Sequence, residues 1–155
     1  MNSGNSWWIA GAERTVSDVV PAPPDVVRAF YVDLDNIKHV HPLVVSVQST
    51  ARTDTADGYA QTYRVRDRIP LGPFTLGIAY TARLWVPVHG DVRTEARQFP
   101  RVTLDGVVSF IGVGDGTRIT ERLRIQTPRP LAAVTVRQAV AAHVEMLAGI
   151  RTHFE

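Results

Sequence analysis

From Leu43 almost to Thr127 the chain alternates apolar and polar residues with a period of two. That is the signature of strands with one buried face. The breaks at DTADG, IPLGP, PVHGD, QFPR and GVGDG divide it into six strands, joined by links of hairpin length. An antiparallel meander is the expected result. Upstream, Arg14 to Val20 predicts one more strand, ended by PAPP. Pro23 and Pro24 can open a helix, because the first turn has no use for their missing N–H groups, so a helix is expected from Pro24 to about Asp33. LDNIKHVHP predicts a second short helix stopped by Pro42.

After TPRP the period changes. In RQAVAAHVEMLAGIRTHF, residues 137–154, at about 100° per residue, Val140, Leu147, Ile150 and Phe154 share a narrow sector with the preceding Val136, and Arg137, Gln138, Glu145 and Thr152 take the other side. His143 falls in the middle of the apolar sector. Seven antiparallel strands can bury the stripe of one long helix only by curling around it. Two short helices are too little to fill the space such a curl leaves, so a cavity between sheet and helix is expected. The fold class is α+β.

At 155 residues the chain fits one domain, with residues 1–12 expected to form a loosely ordered tail. The sequence is 45% hydrophobic and 21% charged, and no apolar run approaches the roughly 20 residues of a membrane span, so no integral membrane contact is expected. The start, MNSGNSWWIAGAE, lacks the basic and apolar segments of a secretory signal, which makes the cytoplasm the expected location. The absence of cysteine removes disulfides and thiolate metal sites. The net charge of +2 is modest and Lys38 is the single lysine, so nucleic acid is not an expected partner.

The stretch VVPAPPDVVRAFYVDLDNIKHVHPLVVSV resembles the opening signature of the START-like, or helix-grip, superfamily, which includes the birch-pollen-allergen fold and the polyketide cyclase and dehydrase-like proteins. The matching positions are Val20, Ala22, Pro23, Asp25, Val27, Asp33, His41 and Pro42. The strand count and final helix agree with it. The resemblance implies a helix-grip fold: a seven-stranded curved antiparallel sheet around a long C-terminal helix, with two short helices between strands 1 and 2. It also implies an apolar pocket for lipids, polyketides or aromatic metabolites. No residue role carries over, because the family shares no catalytic residue and only some members are catalysts.

Strand parity gives the residues facing the pocket. The outward set Arg64, Arg66 and Arg68 turns Tyr63, Val65, Asp67 and Ile69 inward. The outward set Arg118, Arg122 and Arg124 turns Ile119, Glu121, Leu123 and Ile125 inward. Phe74, Ile78 and Tyr80 on one strand, and Leu104, Val108 and Phe110 on another, complete the expected lining with Val140 and Leu147 of the helix. Asp18, between Val16 and Val20, also has inward parity, which a bulge near PAPP would reverse.

His143, Glu121 and Asp67, with the phenols of Tyr63 and Tyr80, thus form a small polar set in an apolar chamber, the usual make-up of a small-molecule site. The first reading is a protein that binds a hydrophobic or aromatic small molecule, without a cofactor. The second is a polyketide cyclase, aromatase or dehydratase, a lyase or isomerase by reaction type, with His143 as general base, Glu121 as its orienter and Asp67 beside them. Against both stands a satisfied core histidine donating to Glu121 or Tyr63. A third reading is an adaptor that uses the outward arginines; interleaved Asp91, Glu95 and Asp105 make a solvated convex face the simpler account.

Other motifs carry less. His39 and His41 are two imidazoles at i, i+2 with no third ligand at recognisable spacing, so no metal site is expected; His41 is expected to cap or pack the turn before Pro42. GVGDG joins two strands and has no helix N-terminus for a phosphate. Trp7 and Trp8 fit a membrane or partner contact, a mobile tail or a lid over the pocket. The side of Trp85 stays open, as does a possible homodimer.

Overall fold

The computed structural model describes residues 7–155 apart from Pro100. The elements run β1 (Ile9–Val20), α1 (Pro24–Val32), α2 (Leu34–Ile37), β2 (Val44–Thr55), β3 (Gly58–Leu71), β4 (Phe74–Pro87), β5 (Val92–Gln98), β6 (Val102–Val113), β7 (Gly116–Pro128), a 3-10 turn at Arg129–Leu131 and α3 (Ala132–Phe154). One seven-stranded sheet has the order β1-β7-β6-β5-β4-β3-β2, with every neighbouring pair antiparallel. All six strands of the meander form between the predicted breaks and both short helices are present, although α2 ends at Ile37, short of Pro42.

Local chemistry explains the boundaries. The β6–β7 hairpin turns at Gly114, whose φ of 58° suits a residue without Cβ. Pro lies in the first turn of α1, and Asp25 there faces the positive end of the helix dipole. The Asp33 carboxylate accepts the N–H of Asp35 at 3.0 Å and caps α2. β2 carries two register shifts, between Val44 and Ser46 and between Ser49 and Ala51, which sharpen its bend at the sheet edge.

β1 starts earlier than its sequence pattern indicates. Ile9–Ala12, expected in the tail, pair with Pro128, Thr127, Gln126 and Ile125 of β7. A long β7 presents backbone donors and acceptors that need a partner, and the chain before Arg14 supplies one. Residues 1–6 of that expected tail lie outside the described residues.

The sheet curls around α3, whose Ala142, Met146, Leu147 and Ile150 are buried. By length and composition Arg129–Phe154 is apolar enough to cross a membrane; in the fold its apolar stripe packs on β1 and β7. Leu147 and Ile150 meet Val20, Val27, Val65, Val108 and Ile119 in one core, each such side chain contributing about 1.5–3 kcal/mol on burial. Asp18 points inward as its parity indicates, but at the far end of α3, where Arg151 Nη1 donates to both its oxygens at 2.8 and 2.7 Å. Trp85 lies on the outer face, with the guanidinium carbons of Arg83 and Arg93 at 4.9 and 5.1 Å from its ring centroid. On the same convex face Arg97 pairs with Glu95 and Arg122 with Asp91.

Candidate functional site

Between sheet and helix lies a chamber of two lobes, about 340 and 100 Å³ in volume. They meet at His41, Tyr80, Ala96, Leu104 and His143, which line both. The outer lobe runs past Asp67, Ile69, Ile78, Ile125, Ala139 and Ala142, and the inner one past Leu34, Ile37, Val65, Leu84 and Met146. The walls are therefore mostly apolar, with polar atoms concentrated where the lobes join.

Behind that junction stands Glu121, 1% exposed and set between Val16 and Val108 of the adjoining strands. Its Oε2 accepts the Tyr31 hydroxyl at 2.8 Å and lies 2.9 Å from Nδ1 of His143. An ionised carboxylate only accepts, so Nδ1 carries a proton and Nε2 is the ring nitrogen left for other partners. Burial pulls the His143 pKa down, but the charge and hydrogen bond of Glu121, helped by Asp67, outweigh it and raise the value above 6.5. Burial and Glu121 raise the Tyr31 phenol well above its ordinary value, which keeps it a donor.

His41 stands edge-on to His143, ring centroids 5.7 Å apart. Its Nδ1 accepts the Leu43 N–H at 3.3 Å, so in the neutral ring the proton sits on Nε2. Burial and the neighbouring His143 charge push its pKa down to about 3. The pair thus divides the charge: His143 favours the cation and His41 stays neutral.

Asp67, 8% exposed, is the third polar element. Burial pushes its pKa up to about 6, against the hydrogen-bonding pull of Tyr80 and the charge of His143. Tyr80 is raised by the same burial and by Asp67. Asp67 Oδ1 and Glu121 Oε1 are buried without a hydrogen-bond partner in the protein, which is costly.

The sequence-selected residues separate into two groups. His143, Asp67, Ile78, Tyr80 and Leu104 line the chamber, and Glu121 lies directly behind His143. Val108, Leu123 and Leu147 are sealed in the core, with Val140 partly buried against it. Tyr63 is buried with its hydroxyl 3.4 Å from the Val32 carbonyl, towards α1. Phe110 stacks edge-to-face on Tyr31, centroids 5.4 Å apart, outside both lobes. Phe74 is a correction: at the tip of the β3–β4 hairpin it is 75% exposed, because the hairpin extends past the helix that would cover its inner face. Tyr31 and His41 enter the site without having been selected. Tyr31 had a signal, since Val27 and Tyr31 sit at i, i+4 on the inner face of α1. His41 belongs to a turn, where no periodicity assigns a direction. Among the described residues no three His, Asp or Glu side chains are grouped to hold a metal ion.

No protein-family model matches the chain, and no curated protein matches it by sequence. Solved structures do match in shape. A protein from Thermus thermophilus superposes with a TM-score of 0.71 at 20% identity, over 91% of this chain and 95% of the other. A START superfamily protein from Mycobacterium smegmatis gives 0.67 at 15% identity, over 94% and 99%. This chain has the START-like helix-grip fold. A third match is the Zhui aromatase/cyclase from a Streptomyces species, with a TM-score of 0.64 at 16% identity, over 92% of this chain and 94% of that one. At these identities the shared property is the START-like fold, and the chemistry must be argued from the chamber.

Proposed function

We propose that this protein binds a hydrophobic or aromatic small molecule, of lipid or polyketide-like character, in the chamber between the sheet and α3. One observation carries the reading: a mostly apolar cavity of about 340 Å³ with an inner lobe of about 100 Å³ is lined by Asp67, whose Oδ1 is buried without a partner in the protein. A ligand with an apolar body and one hydroxyl or amide donor would satisfy the walls and that oxygen together. Titration with an apolar fluorophore such as 1-anilinonaphthalene-8-sulfonate tests it. Ala96 lines both lobes, so Ala96→Phe should abolish saturable enhancement while the circular dichroism spectrum is retained. Equal enhancement in that variant would contradict the reading.

A second reading is catalysis of the cyclase, aromatase or dehydratase type, favoured by the His143–Glu121 contact at 2.9 Å. Glu121 fixes the ring through Nδ1, and Nε2 exchanges the proton with substrate. The raised His143 pKa favours the imidazolium, whose Nε2–H can protonate a departing hydroxyl or an enolate, while the neutral ring would act as the general base. His41 would be a neutral donor beside it. Loss of turnover with retained binding in His143→Ala supports this reading, and unchanged turnover excludes it.

A further inference from the structure

The outer lobe opens at one end of the molecule, where the β3–β4 and β5–β6 turns and the β7–α3 junction come together. Leu71, Leu76, Phe99, Leu131 and Val134 all line this lobe, yet they are 42, 48, 92, 42 and 37% exposed. They are lining and rim at once. Phe74 stands beside them, paired with Leu71 at the tip of its hairpin. Trp7 and Trp8 join the same end: Trp8 O accepts the backbone N–H of Arg129, and Trp7 O accepts Arg129 Nε. The two indoles are stacked at 4.0 Å and 59 and 51% exposed. Aromatic side chains this open to water, grouped at one mouth, are unusual for a free surface.

Charge is distributed to match. The segments that build this end, residues 41–46, 68–76, 97–103 and 127–141, contain Arg68, Arg97, Arg101, Arg129 and Arg137 and no Asp or Glu. Arg97 pairs with Glu95 from the middle of β5. The other four form no ion pair among the described residues. The β2–β3, β4–β5 and β6–β7 turns at the opposite end carry Asp57, Asp91 and Asp115. The molecule therefore has a basic, aromatic mouth and an acid-bearing base.

We propose that the mouth docks on an anionic lipid bilayer, with Trp7, Trp8, Phe74 and Phe99 entering the interface and Arg101 and Arg137 meeting the headgroup phosphates. Indoles and phenyl rings favour the headgroup boundary, and basic residues add attraction to acidic lipid. An acidic protein would satisfy the arginines but gives no reason for four exposed aromatic rings. Docking in this pose would open the chamber onto the lipid phase, giving an apolar ligand a path that avoids water. The inference concerns the surface alone and stands whichever ligand the chamber holds.

Flotation of the intact protein with vesicles of phosphatidylcholine, alone or mixed with phosphatidylglycerol, tests it. The expected result is flotation with the mixed vesicles, weakened in pure phosphatidylcholine and by added salt, with a blue shift of tryptophan emission. Phe74→Asp with Phe99→Asp should abolish flotation without loss of fold, which circular dichroism checks. Arg101→Gln and Arg137→Gln should each weaken it about fivefold, the factor for one basic charge at an anionic surface. The proposal is overturned by no flotation with either vesicle, by flotation that these substitutions leave unchanged, or by capture of the mouth by a soluble acidic protein in the absence of vesicle binding.

Discussion

His143 Nδ1 and Glu121 Oε2 lie 2.9 Å apart, with the carboxylate almost wholly withdrawn from water. Tyr31 donates to the same oxygen from α1, so one buried carboxylate ties the gripped helix, the last strand and the first helix together. Exchanging Glu121→Gln removes the charge that raises His143 and leaves burial, which lowers it. The imidazole pKa, read from the His143 Cε1–H resonance across a pH series, should therefore fall below that of the native protein. Stability at pH 7 should drop by about 1–3 kcal/mol, since both donors on Oε2 lose their ionised acceptor. In the native protein the raised His143 pKa contributes stability that is complete below about pH 6.5 and is lost as pH rises through the folded value. An unchanged His143 titration in Glu121→Gln would sever this link.

Asp67 acts in the opposite sense to a stabilising carboxylate. Its pKa is raised from 3.8 to about 6, so between these values the folded state holds a proton that the unfolded chain has released. Stability from this group declines as pH rises through that window, and above about pH 6 the ionised side chain costs of the order of 3 kcal/mol, at 1.36 kcal/mol per pKa unit. Asp67→Asn should be more stable than the native protein at pH 7, while losing affinity for a ligand that donates to Asp67. His41 works against it: with its pKa lowered to about 3, stability present above about pH 6.5 is lost as the solution is acidified. Without the compensating Asp67, the variant should lose stability more steeply between pH 6 and pH 4. Urea melts at pH 7, 6, 5 and 4 measure both effects; a variant less stable than native at pH 7 would contradict the sign.

Gly149 lies where α3 passes Val40, and a Cβ there would stand 2.9 Å from Val40 Cβ and 3.3 Å from its carbonyl oxygen. Alanine is about 1 kcal/mol better than glycine in a helix interior, but overpacking costs about 1–3 kcal/mol. The contact includes backbone, which yields little, so the clash should win. Gly149→Ala is expected to lower the melting temperature and, by pushing on the Val40–His41 turn, to disturb the His41–His143 stack. A higher melting temperature would mean that the turn moves freely and that His41 is not held by packing.

Much of this architecture was legible because alternation is a local property. The arginine triplets at 64, 66 and 68 and at 118, 122 and 124 fix the outward parity of β3 and β7, and Tyr63, Asp67 and Glu121 turn inward as that parity requires. Parity gives a direction but no depth. Phe74 has the correct inward phase and is still exposed, because coverage at a hairpin tip depends on where α3 begins. Val108 and Leu123 have the same phase as chamber residues but lie where sheet and helix touch. Their placement depends on the curl of the whole sheet. His41 illustrates the remaining limit: its contact with His143 spans the sequence and is made by a turn, which has no period to read.

Native mass spectrometry of the purified protein, before and after organic extraction, tests the chamber most directly. The account predicts a co-purifying apolar small molecule whose removal lowers the melting temperature, and whose retention falls in Ala96→Phe. A protein that carries no such molecule, and whose melting temperature is the same before and after extraction, would contradict it and make His143 a satisfied core histidine.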